Sequence, residues 1–266
     1  MNNPKISIIT VCYNSAKTIA AAIESVKRQS YSNYEHIFID GKSTDGTIDI
    51  IKRYSPGSIL VSEKDNGLYD AMNKGYRLAH GDVIGTLNSD DFYLEDNILK
   101  TIAEHFNDSS IDYVCGKINF YDEKGRYSHT FGASPDLEEN LKSMSVAHPS
   151  IYVRKLVVDA IGLYDVSYSI SADFDWCLRL LLGKYKYYFI NKSLVGMTWG
   201  GVSSNSHVES ARQEYLIKTH IFPARSREFK MIYYKNILNG FVRRILVLAG
   251  LNSIVHIIRR YQGKIQ

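Results

Sequence analysis

The chain has 266 residues, 45% of them hydrophobic and 23% charged; it is long enough for one large α/β domain or two small ones and too apolar for disorder. Its three cysteines, Cys12, Cys115 and Cys177, are far apart and odd in number, so no disulfide framework or zinc cluster is encoded and a reducing compartment is expected. The net charge of +4 is uneven: residues 223–266 carry nine Lys or Arg against one acid, Glu228, leaving 23 bases and 27 acids before them, the pattern of a slightly acidic body with a basic attachment segment and not of a nucleic-acid-binding domain.

Ile6–Cys12 (ISIITVC) is an apolar, β-branched run and predicts a buried strand. Residues 16–29 put Ile19, Ile23 and Val26 on one helical face. A second strand, His36–Asp40, ends in the turn-rich GKSTDGT; a helix over 47–54 stops at Ser55-Pro56-Gly57, and Ile59–Ser62 predicts a third strand. Met72, Tyr76 and Ala79 mark the next helix, Asp82–Leu87 a fourth strand, and Ile98–Phe106 lies in the helix after it. Strands alternating with helices of this length imply right-handed crossovers and a parallel sheet, whose ligands bind beyond the carboxyl ends of the strands. Tyr13-Asn14, Asp40 and Asn88-Ser89-Asp90-Asp91 all fall at such ends. Beyond Asp112 the pattern changes. Tyr113–Phe120 and Tyr127–Phe131 predict a hairpin, residues 137–182 read as mainly helical or irregular, and Tyr185–Ile190 is strand-like. The expected division is 1–112, 113–222 in the same continuous body, and a tail over 223–266.

Adjacent carboxylates at a strand end, Asp90 and Asp91, are costly unless a cation shares them, and oxygen ligands alone select a hard ion such as Mg²⁺ or Mn²⁺. The bland alternative is a solvated turn in which Asp91 or Asp96 caps the next helix. Asp40 has two readings, a hydrogen-bond acceptor for a base or ribose, or an Asx turn with Gly41. Tyr13 either stacks on a base or simply packs. Asp173-Phe174-Asp175-Trp176 opens a helix whose buried stripe is Phe174, Cys177, Leu178 and Leu181, so Asp173 is either its N-cap or a general base facing a cleft. His148 and the Trp199-Gly200-Gly201 turn are weak candidates for the acceptor side, and His207 is a weak candidate for a further metal ligand.

Together, ISIITVCYN, FIDGKSTDGT, SEKDNGLYDAMNKGYRLAHGDVIGTLNSDD and the later GLYD and SADFDW segments resemble the inverting family-2 glycosyltransferases of the GT-A fold. The resemblance covers roughly residues 4–200 and is densest before Phe92. It implies a mostly parallel, Rossmann-like central sheet flanked by helices, followed by the basic helical tail. It further implies transfer of a sugar from a nucleoside-diphosphate donor, a UDP-sugar foremost, to a hydroxyl of a glycan or polyprenyl-diphosphate-linked acceptor, in bacterial surface-polysaccharide or O-antigen synthesis. By it, the Val11 backbone and Tyr13 ring contact the base, Asp40 bonds the base edge, and Asp65, Asn73 and Lys74 line the nucleotide-sugar pocket. Asp90 and Asp91 match the motif that holds ribose and a Mn²⁺ or Mg²⁺ ion, and Asp173 matches the catalytic base. The chain departs from the common pattern at Asn88, where the first carboxylate is replaced, at Met72, where an Arg is lost, and at Ala172, which leaves one acid of a pair. Competing expectations are a nucleotidyltransferase, which would carry a Gly-rich, basic segment where Cys12–Lys17 stands, and a noncatalytic nucleotide-sugar-binding protein.

The N-terminus, Met-Asn-Asn-Pro-Lys, has no basic and apolar leader pattern, so a cytoplasmic enzyme, peripheral at the inner face of the cytoplasmic membrane, is expected. In the tail, Ile245–Ile258 is apolar, bracketed by Arg243-Arg244 and Arg259-Arg260, and at 14 residues too short to span a bilayer. It reads either as two helices packed on the body or as an interfacial segment on anionic lipid. If the tail is only an anchor, a chain ending at Phe222 stays folded.

Overall fold

The computed structural model describes residues 3–122, 124–198 and 207–248. The Trp199-Gly200-Gly201 turn and most of Ile245–Ile258 lie outside them. Four strands, β1 (Ile6–Cys12), β2 (Tyr34–Asp40), β3 (Ile59–Ser62) and β4 (Val83–Thr86), pair in parallel in the order β3-β2-β1-β4. All seven β1 residues are buried, as a strand covered on both faces requires. Ile9 and Val11 join one core cluster with Met72, Tyr76, Val153 and Trp176, while Ile6 and Ile8 join the other with Leu99, Phe106 and Tyr152. That alternation is the period-two geometry of a strand.

The crossovers are α1 (Ile19–Lys27), α2 (Thr47–Tyr54) and α3 (Leu68–Leu78). α1 buries Ile19, Ile23 and Val26 but is shorter than the predicted 16–29. The amides of Ser15 and Ala16 bond Thr47 Oγ1 (2.8 Å) and Asp45 Oδ2 (2.9 Å), which fixes this stretch as a turn. β2 begins two residues before the prediction, because Glu35 accepts from Lys5 Nζ and Ser7 Oγ, both at 2.6 Å, while Tyr34 pairs with Ile6.

The second half adds β5 (Asp91–Tyr93), α4 (Ile98–Phe106), the hairpin β6 (Tyr113–Tyr121) and β7 (Tyr127–Phe131), α5 (Leu137–Lys142), β8 (Tyr152–Arg154), α6 (Lys155–Ile161), α7 (Ala172–Leu182) and β9 (Tyr187–Thr198). They extend the same sheet as β4-β8-β6-β9-β5, with β7 on β6. β8 runs antiparallel between β4 and β6; β9 is parallel to β6. Three-residue β5 and β8 escaped the sequence reading, and β9 runs eight residues past its predicted end. The polar Asn191-Lys192-Ser193 stretch masks it, and there the register against β6 shifts. α4 starts after Asn97, so neither Asp91 nor Asp96 caps it.

α8 (His207–Ile221) and α9 (Ser226–Leu248) complete the described chain. Leu141, Phe174, Leu178, Ile217 and Phe229 form one buried cluster, which ties both helices to α5 and α7. The first turn of the basic tail is therefore core, since burying a Phe such as Phe229 contributes on the order of 1.5–3 kcal/mol. A chain ending at Phe222 lacks that packing.

Candidate active site

Because β1 to β4 are parallel, their carboxyl ends deliver their loops to one side of the sheet. Register sets Cys12 beside Asp40 and Asp40 beside Ser62. The loop after β1 is clamped by GKSTDGT. The Asn14 amide donates to Ser43 Oγ (2.8 Å), and Asn14 Oδ1 accepts from the Thr44 amide (2.9 Å). Asn14 and Lys42 hold left-handed backbone, with φ of 49° and 67°. Clamped this way, Tyr13 presents its ring outward, 66% exposed, while Val11 stays in the strand core.

Gly41 explains how Asp65 reaches this corner. A Cβ at Gly41 would lie 2.6 Å from Asp65 Oδ2 and 3.3 Å from the Tyr13 ring, so the missing side chain lets both close in on this backbone. Asp65 Oδ1 accepts from the Gly67 amide at 3.0 Å. Asp40 is fully buried: Oδ2 accepts from the Ser43 amide (2.9 Å) and Ser62 Oγ (2.7 Å), and the Cys12 thiol lies 3.6 Å from Oδ1. The Ser43 amide is three residues on, one further than in the Asx turn expected as the alternative. Burial, and then the Asp40 charge, push the Cys12 thiol far above its ordinary value.

The Asn88–Asp91 turn faces the same side. Ser89 Oγ lies 2.8 Å from Ser15 Oγ, joining positions 74 residues apart. Asn88 Nδ2 donates to Asp91 Oδ2 at 3.0 Å, but Asn88 Oδ1 and Asp91 Oδ1 are buried without a hydrogen-bond partner. Burial raises Asp90 above the usual carboxylate range; burial and then the Asp90 charge raise Asp91 further. Two buried oxygens lacking donors beside two desolvated carboxylates are the donor set a hard cation fits. Among the described residues no group of three or more His, Cys, Asp or Glu forms a metal cage. A cation held here would thus complete its shell from ligand oxygens and water.

Asp173 sits in the first turn of α7 and is not its N-cap, which is Ser171. Its Oδ1 accepts from the Phe174 amide at 2.9 Å and lies 2.9 Å from Tyr69 Oη of α3. Tyr69 Oη is also 2.7 Å from the Ile170 carbonyl, so its one proton serves two acceptors. Just before the helix, Gln213 Oε1 of α8 accepts from the amides of Ile170 (3.0 Å) and Ser171 (3.1 Å). Lys218 Nζ, almost fully buried, lies 4.8 Å from the Phe174 ring and 3.2 Å from Glu214. Asp175, the other acid of this segment, is paired with Arg179 at 2.8 Å, and Arg179 also donates to the Leu163 carbonyl.

Three other expected site residues have different immediate partners. Asn73 is buried, and its amide bonds the Tyr164 backbone in both directions at 2.9 Å, so it positions that loop. Lys74 pairs with Glu63 (2.8 Å) and lies 3.6 Å from Asp70, which offsets its charge locally. His148 is buried 2.7 Å from Tyr164 Oη; burial lowers its pKa, with the charge of Asp173 acting the other way. His207 begins α8, exposed, outside any metal-binding group among the described residues.

The profile of the family described as "Glycosyl transferase family 2" matches residues 7–151, more than half of the chain. A "PGL/p-HBAD biosynthesis glycosyltransferase" of Mycobacterium bovis (strain BCG / Pasteur 1173P2) is 32% identical over 184 residues, covering 67% of this chain and 70% of that protein. The Escherichia coli "UDP-Glc:alpha-D-GlcNAc-diphosphoundecaprenol beta-1,3-glucosyltransferase WfaP" is 29% identical over 245 residues, 90% of this chain and 94% of its own length. Among solved structures, S. aureus TarS 1-349 in complex with UDP-GlcNAc superposes with a TM-score of 0.64 at 19% identity, covering 88% of this chain and 71% of that one. The fold is the GT-A type of glycosyltransferase. The chain belongs to glycosyl transferase family 2.

Proposed function

We propose that this glycosyltransferase moves a sugar from a nucleoside-diphosphate donor, a UDP-sugar foremost, to a hydroxyl of a glycan or polyprenyl-diphosphate-linked glycan, with inversion at the anomeric carbon. The observation that carries the proposal is the pair of desolvated acids, Asp90 and Asp91, with Asp91 Oδ1 and Asn88 Oδ1 buried and unpartnered at the strand ends. The match to the E. coli glucosyltransferase over nearly its whole length supports the acceptor class. The base stacks on the exposed Tyr13 ring beside the Val11 backbone, and Asp40 meets the base edge through Oδ1, which only the weak Cys12 thiol contacts. Asp65, held against Gly41, faces the nucleotide, while Asn73 and Lys74 act indirectly by fixing the Tyr164 loop and the Glu63–Asp70 corner.

Asp90 and Asp91 would hold Mn²⁺ or Mg²⁺, which supplies charge neutralisation for the departing nucleoside diphosphate. Asp173 takes the proton of the attacking hydroxyl, and Tyr69 orients its carboxylate from behind. No covalent glycosyl-enzyme is required, since a single in-line displacement inverts the centre. Residues 113–222 supply the acceptor side. The enzyme works at the inner face of the cytoplasmic membrane, attached to anionic lipid through residues 223–266, where a lipid-linked acceptor is presented.

A panel of nucleotide-sugars with Mn²⁺, with and without a polyprenyl-diphosphate-linked sugar, tests this reading. Acceptor-stimulated release of nucleoside diphosphate supports it. Release of pyrophosphate means a nucleotidyltransferase, and binding without turnover means a noncatalytic binding protein; either overturns it.

A further inference from the structure

α9 is apolar on two opposite faces. Phe229, Ile232 and Tyr233 pack against α8 and the cluster beneath it. On the other side Met231, Tyr234, Leu238, Phe241, Val242 and Ile245 are 44–68% exposed. Their spacing of three and four residues puts them in one stripe, roughly 21 Å long at the helical rise of 1.5 Å per residue. The remaining exposed side chains described on this helix are bases: Arg227, Lys230 and Lys235. The helix has one acid, Glu228, and Arg225 engages it at 2.8 Å. A contiguous apolar stripe rimmed only by positive charge is unusual on a free surface and marks a docking face.

Two occupants compete for such a stripe. In a pair of α9 helices from two copies, Lys230 and Lys235 flank the seam and meet the partner's lysines with no exposed acid to answer them. An anionic lipid surface answers the same charges directly. No helix among the described residues is long and apolar enough to cross a membrane, so α9 would lie along the surface. We propose that the outer face of α9, from Met231 to Ile245, is the membrane-docking surface of this enzyme, with its apolar stripe at the acyl boundary and Arg227, Lys230 and Lys235 on lipid phosphates. This deepens the attachment proposed above, on which it rests for the partner's class, and moves it from Ile245–Ile258 to a helix one layer away from Asp173. Phe229 on the inner face of α9 touches the cluster of Phe174, the neighbour of Asp173, so docking holds the base-bearing helix at a fixed height above the lipid.

The test uses the full chain with vesicles of phosphatidylglycerol and phosphatidylcholine, or of phosphatidylcholine alone, read by co-sedimentation at low and high salt. The wild type is expected to bind the anionic vesicles at low salt. Leu238→Glu/Phe241→Glu is expected to lose at least about tenfold in partitioning, and Lys230→Glu/Lys235→Glu to lose the salt-sensitive part. Both variants should keep the wild-type melting temperature and nucleoside-diphosphate release from a soluble donor. The inference is overturned if the wild type ignores anionic vesicles, if Leu238→Glu/Phe241→Glu binds as the wild type does, or if sedimentation velocity finds a dimer that this variant splits. Donor turnover separates the two readings: vesicle binding without turnover defeats the proposed reaction, and turnover without vesicle binding defeats the docking face.

Discussion

Tyr69 Oη of α3 lies 2.9 Å from Asp173 Oδ1 of α7, joining residues 104 apart in sequence. Tyr69 is 5% exposed and its ring packs on Tyr164, so Tyr69→Phe keeps the packing and removes the hydroxyl shared by Asp173 and the Ile170 carbonyl. We expect kcat to fall about tenfold with donor KM unchanged, and Asp173→Asn to fall roughly 10²–10⁴-fold with donor affinity kept. Steady-state kinetics with a separate donor titration reads both. Wild-type turnover in Asp173→Asn would place the base elsewhere.

Asp91→Ala and Asp90→Ala should each reduce turnover severely while the chain stays folded. Mn²⁺ should raise the melting temperature of the wild type and not that of Asp91→Ala. Full activity of the wild type in excess EDTA, or normal activity in both variants, removes the cation from the reaction.

His36 is buried beneath the sheet, 2.9 Å from Thr10 Oγ1, and burial pushes its pKa down to about 3. The unfolded chain therefore binds a proton that the folded chain refuses. Stability from this group is intact above about 6.5, the unfolded value, and falls as pH drops toward about 3. His36→Gln should melt lower at neutral pH but lose less between about pH 7 and about pH 4.5. Parallel melting curves for the two proteins would disprove the effect.

Gln213 of α8 anchors the loop that leads into α7. Gln213→Leu leaves the Ile170 and Ser171 amides without their acceptor and should cost about 1–3 kcal/mol. Because those amides precede Asp173 by two and three residues, kcat should fall beyond what the melting temperature accounts for. A drop in stability alone would make Gln213 purely structural.

A chain ending at Phe222 loses Phe229, which is 1% exposed against Phe174 and Leu178. Phe229→Ala should cost about 3–5 kcal/mol, and the truncated chain should melt earlier and bind a hydrophobic dye. An unchanged melting curve would show that α9 contributes nothing to the body.

What the sequence conveyed follows from how local each signal is. ISIITVC reads as a strand because both of its faces are buried, and the Asp90-Asp91 pair draws notice because adjacent charges need a reason. β8 is three residues ending in Arg154, and only the structure shows that the guanidinium is absorbed by the carbonyls of Phe106, Asp108 and Ile111. Asn73 looks like a pocket residue until Tyr164 appears, 91 positions later, using both ends of its amide. Asp173 looks like a helix cap, yet the N-cap is Ser171, and the acceptor for the amides just before the helix is Gln213, 40 residues past Asp173 in a segment beyond the resemblance. Helix entry can be read from neighbouring residues, whereas a loop anchored by another helix cannot.

The pairing of β5 with β9 sets a schedule for synthesis. Asp91 and Phe92 are registered against Met197 and Gly196, whereas β1, β2 and β4 find their parallel partners within the first 86 residues. A chain emerging from the ribosome can form that parallel core early, with domains assembling from the N-terminal end. The partner strand of Asp91 and Phe92 is translated only over a hundred residues later. Through that interval the segment has no ladder to join, and its backbone groups bond water. The strand that carries Asp91 is thus among the last of the sheet to be paired.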